Sequence, residues 1–173
     1  WQCLHATCIR HGEGLAFAGC SSMRYHVVKR AAVYLAQQLR REHKDTIRIG
    51  VLLWNSPEVV IVHFAAAALE GTVANLSPRL TQSELAYMVQ DAHVSLLVTS
   101  EDLKALASSI SPSVSILDCA KLLDAITADT NMAMDASHGS EDDPYQIYYT
   151  SGTTGQPKGL VLTHKQVCAH AVA

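Results

Sequence analysis

The sequence contains little that would mark a membrane, nucleic-acid-binding or secreted protein. Its 173 residues include 13 Lys and Arg against 16 Asp and Glu, a formal net charge of −3. There is thus no excess of positive charge to hold nucleic acid or an anionic membrane. The longest apolar run, residues 59–69, is interrupted by His63 and is too short to span a bilayer. The first residues also lack a secretory signal pattern. We therefore expect no nucleic-acid partner and no transmembrane segment.

Cysteine and histidine are present without the spacings that disulfide frameworks or metal sites use. The five cysteines are odd in number and scattered, and no Cys-x-x-Cys pair occurs. The nine histidines form no cluster with metal-ligand spacing. We interpret His63 as a core or partly buried residue of a helix. The pattern favours a reduced, intracellular chain in the cytoplasm, without protein ligands for a metal.

Strand-like and helix-like segments alternate from residue 47 onward. Apolar residues make up 49% of the chain, enough for a folded core. The alternation implies βαβ units, so we predict an α/β fold with a mostly parallel sheet flanked by helices. The predicted strands are residues 15–18, 47–54, 72–76, 95–99, 113–117, 145–150 and 160–163. The predicted helices are residues 1–10, 25–42, 57–70, 101–108, 120–128 and 164–173, with one more beginning after residue 81, a turn at 19–22 and a linker loop at 129–143.

Several helix ends carry sequence signals. Ser56 and Pro57 are a favourable pair for the N-cap and the first helical position. Thr81–Glu84 and Thr163–Gln166 have the spacing of a capping box. Gly71 is expected to end the helix that begins at Pro57.

The segment from Tyr148 to Gly159 is the most informative part of the chain. It reads Tyr-Tyr-Thr-Ser-Gly-Thr-Thr-Gly-Gln-Pro-Lys-Gly and connects two predicted strands. Its glycines let the backbone approach an anion closely, successive N–H groups can form an anion-binding nest, and its hydroxyls are further donors. Lys158 adds a compact positive charge suited to phosphate oxygens. A flexible surface turn is the plainer account of such a composition, but the ordered string favours a polyphosphate site.

This loop does not fit the Walker A pattern. That pattern needs Gly, four residues and then Gly-Lys-Ser/Thr at the start of a helix. Here Gln156 and Pro157 precede Lys158, Gly159 follows it, and a predicted strand comes next. A phosphate loop of another kind is indicated.

Residues 149–159 resemble the signature of the adenylate-forming (AMP-binding) superfamily, which includes acyl-CoA synthetases and the adenylation domains of peptide synthetases. The match is long and ungapped. Residues 55–58 and 75–80 are similar to two upstream blocks of the family, although we interpret them as capping and packing residues. The resemblance implies the N-terminal part of the large domain of an adenylate-forming enzyme, from about residue 22 onward.

The resemblance also implies a reaction and a set of ligands. A small-molecule carboxylic acid and ATP, with Mg²⁺, give an acyl-adenylate and pyrophosphate, and a thiol, usually coenzyme A, then displaces AMP. Lys158 is expected to be the catalytic residue that neutralises phosphate charge. Tyr148 and Tyr149 are expected in the strand core, and His164 in the cap of the last helix rather than at the nucleotide. The implied phosphate-binding residues are Thr150, Ser151, Gly152, Thr153, Thr154, Gly155 and Lys158.

Two other interpretations stay open. The chain could belong to a peptide synthetase, whose acceptor is a carrier protein, or be a non-catalytic relative that retains the fold. It begins at Trp1 and stops at Ala173 inside a predicted helix. We therefore expect residues 1–173 to be a partial AMP-binding domain, truncated at its C-terminal end, that needs the rest of its own chain and is inactive alone.

Overall fold

Helices and strands alternate through most of the computed structural model, which describes residues 2–18, 22–43, 46–120, 139–150 and 156–172. The helices are α1 (Gln2–His11), α2 (Tyr25–Glu42), α3 (Pro57–Ala68), α4 (Gln82–Asp91), α5 (Lys104–Ile110) and α6 (His164–Val172), with a 3₁₀ turn at Glu101–Leu103. The strands are β1 (Leu15–Phe17), β2 (Met23–Arg24), β3 (Arg48–Leu52), β4 (Thr72–Leu76), β5 (Leu96–Thr99), β6 (Ser115–Asp118), β7 (Pro144–Thr150) and β8 (Lys158–Thr163).

The main sheet has six strands in the order β6-β5-β3-β4-β7-β8. Every neighbouring pair is parallel except β7 and β8, which form an antiparallel hairpin at one edge. The predicted α/β fold with a mostly parallel sheet is therefore confirmed. The strands β1 and β2 form a separate two-stranded antiparallel sheet.

The core lies in two layers, one on each face of the sheet. Alternate residues of β3 point to opposite faces, so Ile49 and Val51 join the cluster under α2 and α3, whereas Leu52 joins the cluster under α4 and α5. All three side chains are buried. Burial of such a side chain stabilises the fold by about 1.5–3 kcal/mol.

Small residues let α3 lie close to the sheet. The alanines of Ala65–Ala68 are all buried, with exposed fractions of 3% or less, and three of them belong to the α2–α3 layer. Because alanine adds little volume, the backbone of α3 can approach both α2 and the sheet closely.

The end of α3 differs from its prediction. The sequence predicts a helix that runs to Glu70 and stops at Gly71, but its last residue is Ala68, and Glu70 itself takes the left-handed conformation with φ of 59°. A Cβ at Gly71 would lie 2.9 Å from Cγ2 of Ile47 and 3.0 Å from its carbonyl oxygen. Glycine is thus required at position 71 for close packing, and not for a positive φ.

The capping predictions have mixed outcomes. Thr81 and Glu84 form the predicted capping box, with the Thr81 N–H donating to Glu84 at 2.8 Å. Thr163 and Gln166 do the same at α6, where the Thr163 N–H donates to Gln166 at 2.9 Å and the Gln166 N–H to the Thr163 hydroxyl at 3.3 Å. Ser56 is extended at the N-cap position of α3 but makes no side-chain capping bond.

Some predicted segments lie outside the described residues. These are most of the turn at 19–22, nearly all of the helix at 120–128, and residues 129–138 of the linker. None of the helices in the described ranges is long and apolar enough to cross a bilayer.

Candidate functional site

The carboxyl ends of the five parallel strands meet at one edge of the sheet. They are Leu52 of β3, Leu76 of β4, Thr99 of β5, Asp118 of β6 and Thr150 of β7. The chain passes from β3 to β4 on one side and then returns to β5 on the other side of β3. In open α/β sheets, ligands bind outside the carboxyl ends of strands where the order reverses in this way. This edge is therefore where a ligand site is expected.

The β7–β8 hairpin places the two ends of the glycine-rich loop side by side at this edge. Thr150 pairs with Lys158, and Tyr149 pairs with Gly159. Both Thr150 and Lys158 are exposed. Lys158 begins β8, whereas the sequence predicts a strand only from residue 160, so the lysine projects from a paired strand instead of from a free loop.

The structure therefore brings together two of the seven predicted phosphate-binding residues, Thr150 and Lys158. The other five fall outside the described residues; they are Ser151, Gly152, Thr153, Thr154 and Gly155.

The two tyrosines before Thr150 have different surroundings. The Tyr149 hydroxyl donates to Oδ2 of Asp91 at 2.8 Å, and the carbonyl oxygen of Met88 lies 3.2 Å away. Burial and the adjacent carboxylate raise the pKa of Tyr149, so its hydroxyl stays protonated at neutral pH. Tyr148 is 42% exposed, beside Leu160, which is 54% exposed. Its predicted place in the core is wrong, because its side chain lies on the exposed surface of the edge hairpin.

A polar network at the other end of β7 connects it to α3 and β4. Nε2 of His63 lies 3.0 Å from the side-chain oxygen of Asn75, and the Gln146 amide nitrogen lies 3.1 Å from Nδ1 of His63. The Tyr145 hydroxyl donates to the His63 carbonyl at 3.1 Å. These contacts fit a neutral imidazole that donates from Nε2 and accepts at Nδ1. The predicted partly buried helical histidine is confirmed, and its burial lowers the pKa of His63.

His164 lies at the far end of the hairpin from Lys158. It is the first residue of α6 and stacks on Tyr145 with ring centroids 4.3 Å apart. Its backbone N–H donates to the Asp143 carbonyl at 3.2 Å. The length of β8, six residues of extended strand that begin with Lys158, separates the two side chains by about 20 Å. The expected place at the helix start is therefore found, well away from the glycine-rich loop.

A cleft of about 500 Å³ opens at the ends of β3 and β4, next to the hairpin. Extending the β4–β7 register sets Ser77 level with Thr150. The indole N–H of Trp54, on one wall, donates to Oδ2 of Asp102 at 3.2 Å. Nδ2 of Asn75 is buried and has no hydrogen-bond partner among the described residues. The polar and aromatic lining residues are Trp54, Asn55, Asn75, Ser77 and Arg79.

The sequence interpretation missed this cleft. It treats residues 55–58 and 75–80 as capping and packing segments, yet residues of both line the cleft. The available signal was their position, since each segment lies at or just beyond the end of a strand, and the ends of neighbouring parallel strands lie together. The arrangement offers an exposed lysine for an anion and, beside it, a cleft with polar and aromatic walls. Across the described ranges, no group of three or more His, Cys, Asp or Glu side chains is placed to hold a metal.

Fold and site together define an α/β protein with a candidate ligand site at the carboxyl edge of its sheet. The family model described as AMP-binding enzyme matches residues 4–173. The chain therefore belongs to the AMP-binding enzyme family.

Similar proteins include a synthase and a CoA ligase. Tyrocidine synthase 3 of Brevibacillus parabrevis is 31% identical over 151 residues, which is 86% of this chain and 2% of that protein. The 2-succinylbenzoate–CoA ligase of Bacillus cereus is 30% identical over 125 residues, 72% of this chain and 24% of the ligase. The chain thus spans about a quarter or less of the length of these relatives.

The solved structure of VinN shares the fold. It superposes with a TM-score of 0.88 at 19% identity, over 98% of this chain and 46% of VinN. The likeness extends through both layers of helices around the sheet, because nearly the whole chain is covered.

Proposed function

We propose that this chain supplies the ATP-phosphate site of an enzyme that activates a carboxylic acid as an acyl-adenylate and passes the acyl group to a thiol. Membership in the AMP-binding enzyme family supports the adenylation step. The observation that carries the proposal is the pairing of Thr150 with Lys158. That pairing closes a glycine- and hydroxyl-rich loop at the carboxyl edge of the sheet, where anionic ligands of α/β proteins bind.

The proposed roles follow from the charge that develops on the leaving pyrophosphate. Lys158 supplies positive charge and acts as the catalytic residue of the loop. Fixed donors of this kind lower the barrier because they need little reorganisation, and loss of one costs about 10²–10³ in rate in other enzymes. The proposed donors and glycines are Thr150, Ser151, Gly152, Thr153, Thr154 and Gly155.

Neither Mg²⁺ nor the carboxylic acid requires a further catalytic side chain from the protein. Mg²⁺ enters bound to the substrate ATP and keeps phosphate oxygens and water among its ligands. A dedicated cluster of protein ligands is therefore unnecessary. The carboxylic acid is ionised near neutral pH, so it can attack without a general base.

Coenzyme A is our proposed acceptor, and a carrier protein is the second candidate. The similarity to a CoA ligase supports the first, and the similarity to a peptide synthetase supports the second. Since the chain spans a small share of either relative, we propose that residues 1–173 are a partial AMP-binding domain that needs further sequence for turnover. The four described cysteines are free, which supports a reducing, intracellular setting.

The test is ATP–pyrophosphate exchange by the full-length protein with a panel of carboxylic acids. Exchange that depends on one class of acid is expected, followed by thioester formation when coenzyme A is added. Thioester formation only with a phosphopantetheinylated carrier protein would favour the peptide-synthetase alternative. The absence of exchange with every acid would contradict the proposal.

A further inference from the structure

A hydrogen bond joins the base of the glycine-rich loop to a helix far away in sequence. The hydroxyl of Tyr149, one residue before the end of β7, donates to the carboxylate of Asp91, the last residue of α4, at 2.8 Å. The carbonyl oxygen of Met88, also in the last turn of α4, lies 3.2 Å from the same hydroxyl. A phenol has one proton, so the shorter contact to the charged acceptor is the principal bond.

Gly159 makes room for this contact on the opposite strand. It pairs directly with Tyr149. A Cβ built there would lie 3.3 Å from Cε1 of the Tyr149 ring and 3.4 Å from Oδ2 of Asp91. Both distances are at the tight limit of ordinary packing, so the ring and the carboxylate lie directly over the glycine. Three residues from α4, β7 and β8 therefore meet where the loop between Thr150 and Lys158 begins and ends.

The stability of α4 alone does not explain a carboxylate at this position. The C-terminus of a helix carries partial negative charge, which disfavours an acidic side chain. Asp91 is exposed, so its replacement leaves no cavity in the core. Burial and the neighbouring carboxylate raise the pKa of Tyr149, which keeps the donor present throughout the neutral range. The bond to the hairpin is the specific contact that Asp91 makes.

We propose that Asp91 is a positioning residue for the phosphate loop, acting through the Tyr149 hydroxyl to fix the paired ends of the loop against α4. It touches no substrate. Because the loop begins one residue after Tyr149, a looser hairpin base displaces Thr150 and Lys158 together and weakens ATP binding before it affects the acid. The inference rests on the proposed function of the loop.

The test compares Tyr149→Phe, Asp91→Ala and the double variant in the full-length enzyme. A hydrogen bond to a charged group is stronger than one between neutral groups. Because Asp91 and Tyr149 touch no substrate, only part of the lost bond energy should appear as weaker ATP binding. We expect Tyr149→Phe to raise the KM for ATP about three- to tenfold, with the KM for the acid and the melting temperature little changed. If both residues act through one bond, the double variant resembles Tyr149→Phe rather than the product of the single effects.

Two further variants separate this role from general damage. Tyr148→Phe removes a neighbouring, exposed hydroxyl and should leave the KM for ATP unchanged. Asp91→Asn retains a side-chain oxygen acceptor and should restore most of the ATP affinity that Asp91→Ala loses. Dissociation constants for MgATP, measured by calorimetry, should rank the variants in the same order as the KM values for ATP.

Different outcomes would overturn the positioning role of Asp91 and the proposed function of the loop. An active enzyme whose KM for ATP is the same in Tyr149→Phe would overturn the positioning role alone. So would equal changes in the KM values for ATP and acid together with a lower melting temperature, which indicate a structural role. A wild-type protein that neither exchanges pyrophosphate nor binds MgATP would overturn the proposed function and this inference with it.

Discussion

The imidazole of His63 is held between Asn75 and Gln146, with Nε2 lying 3.0 Å from the side-chain oxygen of Asn75. This arrangement joins α3 to β4 and β7, the strand that leads into the glycine-rich loop. It uses one ring nitrogen as a donor and the other as an acceptor. In this arrangement a second proton would place an N–H against the Gln146 amide nitrogen, so the network favours the neutral form.

The stability of the fold should therefore fall in mild acid. Burial lowers the pKa of His63 below its ordinary value, despite the opposing effect of the hydrogen bond that His63 donates to Asn75. The unfolded chain takes up the proton near pH 6.5, so the contribution of His63 is complete above that pH and is lost as the pH falls below it. Denaturation in urea between pH 7.5 and 5 should show this decline, with a shallower slope in His63→Gln.

His164 is a second contributor to the same pH dependence. Burial lowers its pKa too, so it contributes in the same direction, and the double variant His63→Gln/His164→Gln should have the shallowest slope. A slope that is identical in the wild type and in His63→Gln would show that the network does not favour the neutral imidazole.

Removal of the N-cap side chain should lower the free energy of unfolding more at α4 than at α3. Thr81 forms a complete capping box with Glu84, whereas Ser56 makes no side-chain bond. Loss of a working N-cap typically costs about 1 kcal/mol. Thr81→Ala should therefore lower the free energy of unfolding by about that amount, and Ser56→Ala by clearly less. Equal losses in chemical denaturation would argue against the difference between the two caps.

Substitutions at Glu70 and Gly71, shortly after the end of α3, should change the free energy of unfolding in opposite directions. Glu70 has a left-handed backbone, which costs a non-glycine residue about 1–2 kcal/mol. Glu70→Gly should raise the free energy of unfolding by roughly 0.5–1 kcal/mol, since the greater flexibility of the unfolded glycine variant offsets part of the gain. Gly71→Ala should lower it by about 1–3 kcal/mol because the added methyl group meets Ile47. A stabilising Gly71→Ala would refute the packing explanation.

Local sequence signals predicted much of the fold. The periodicity of residues 25–42 gave α2 with the bounds that the structure has, and the β-rich run at 72–76 gave β4. The capping boxes at Thr81 and Thr163 formed as expected. These features depend on residues that are close together in the sequence, so they can be predicted from local patterns.

The features that escaped prediction depend on distant parts of the chain. Asp91 and Tyr149 are 58 residues apart, and no local pattern joins them. Tyr148 looks like a core residue from its strand, but its exposure depends on which layers cover the edge hairpin. Lys158 looks like a loop residue until its pairing with Thr150 extends the strand. The cleft likewise appears only when β3 and β4 lie side by side.

We propose that Lys158 neutralises phosphate charge during adenylation. Lys165 is a matched control, since it is an exposed lysine that pairs with Glu141 at 2.9 Å, at the far end of the hairpin. In the full-length enzyme, Lys158→Ala should reduce ATP–pyrophosphate exchange by about 10²-fold or more, by analogy with the loss of other transition-state donors. Lys165→Ala should retain the wild-type rate, and both variants should keep the wild-type melting temperature. Wild-type exchange by a folded Lys158→Ala enzyme would show that Lys158 does not neutralise phosphate charge.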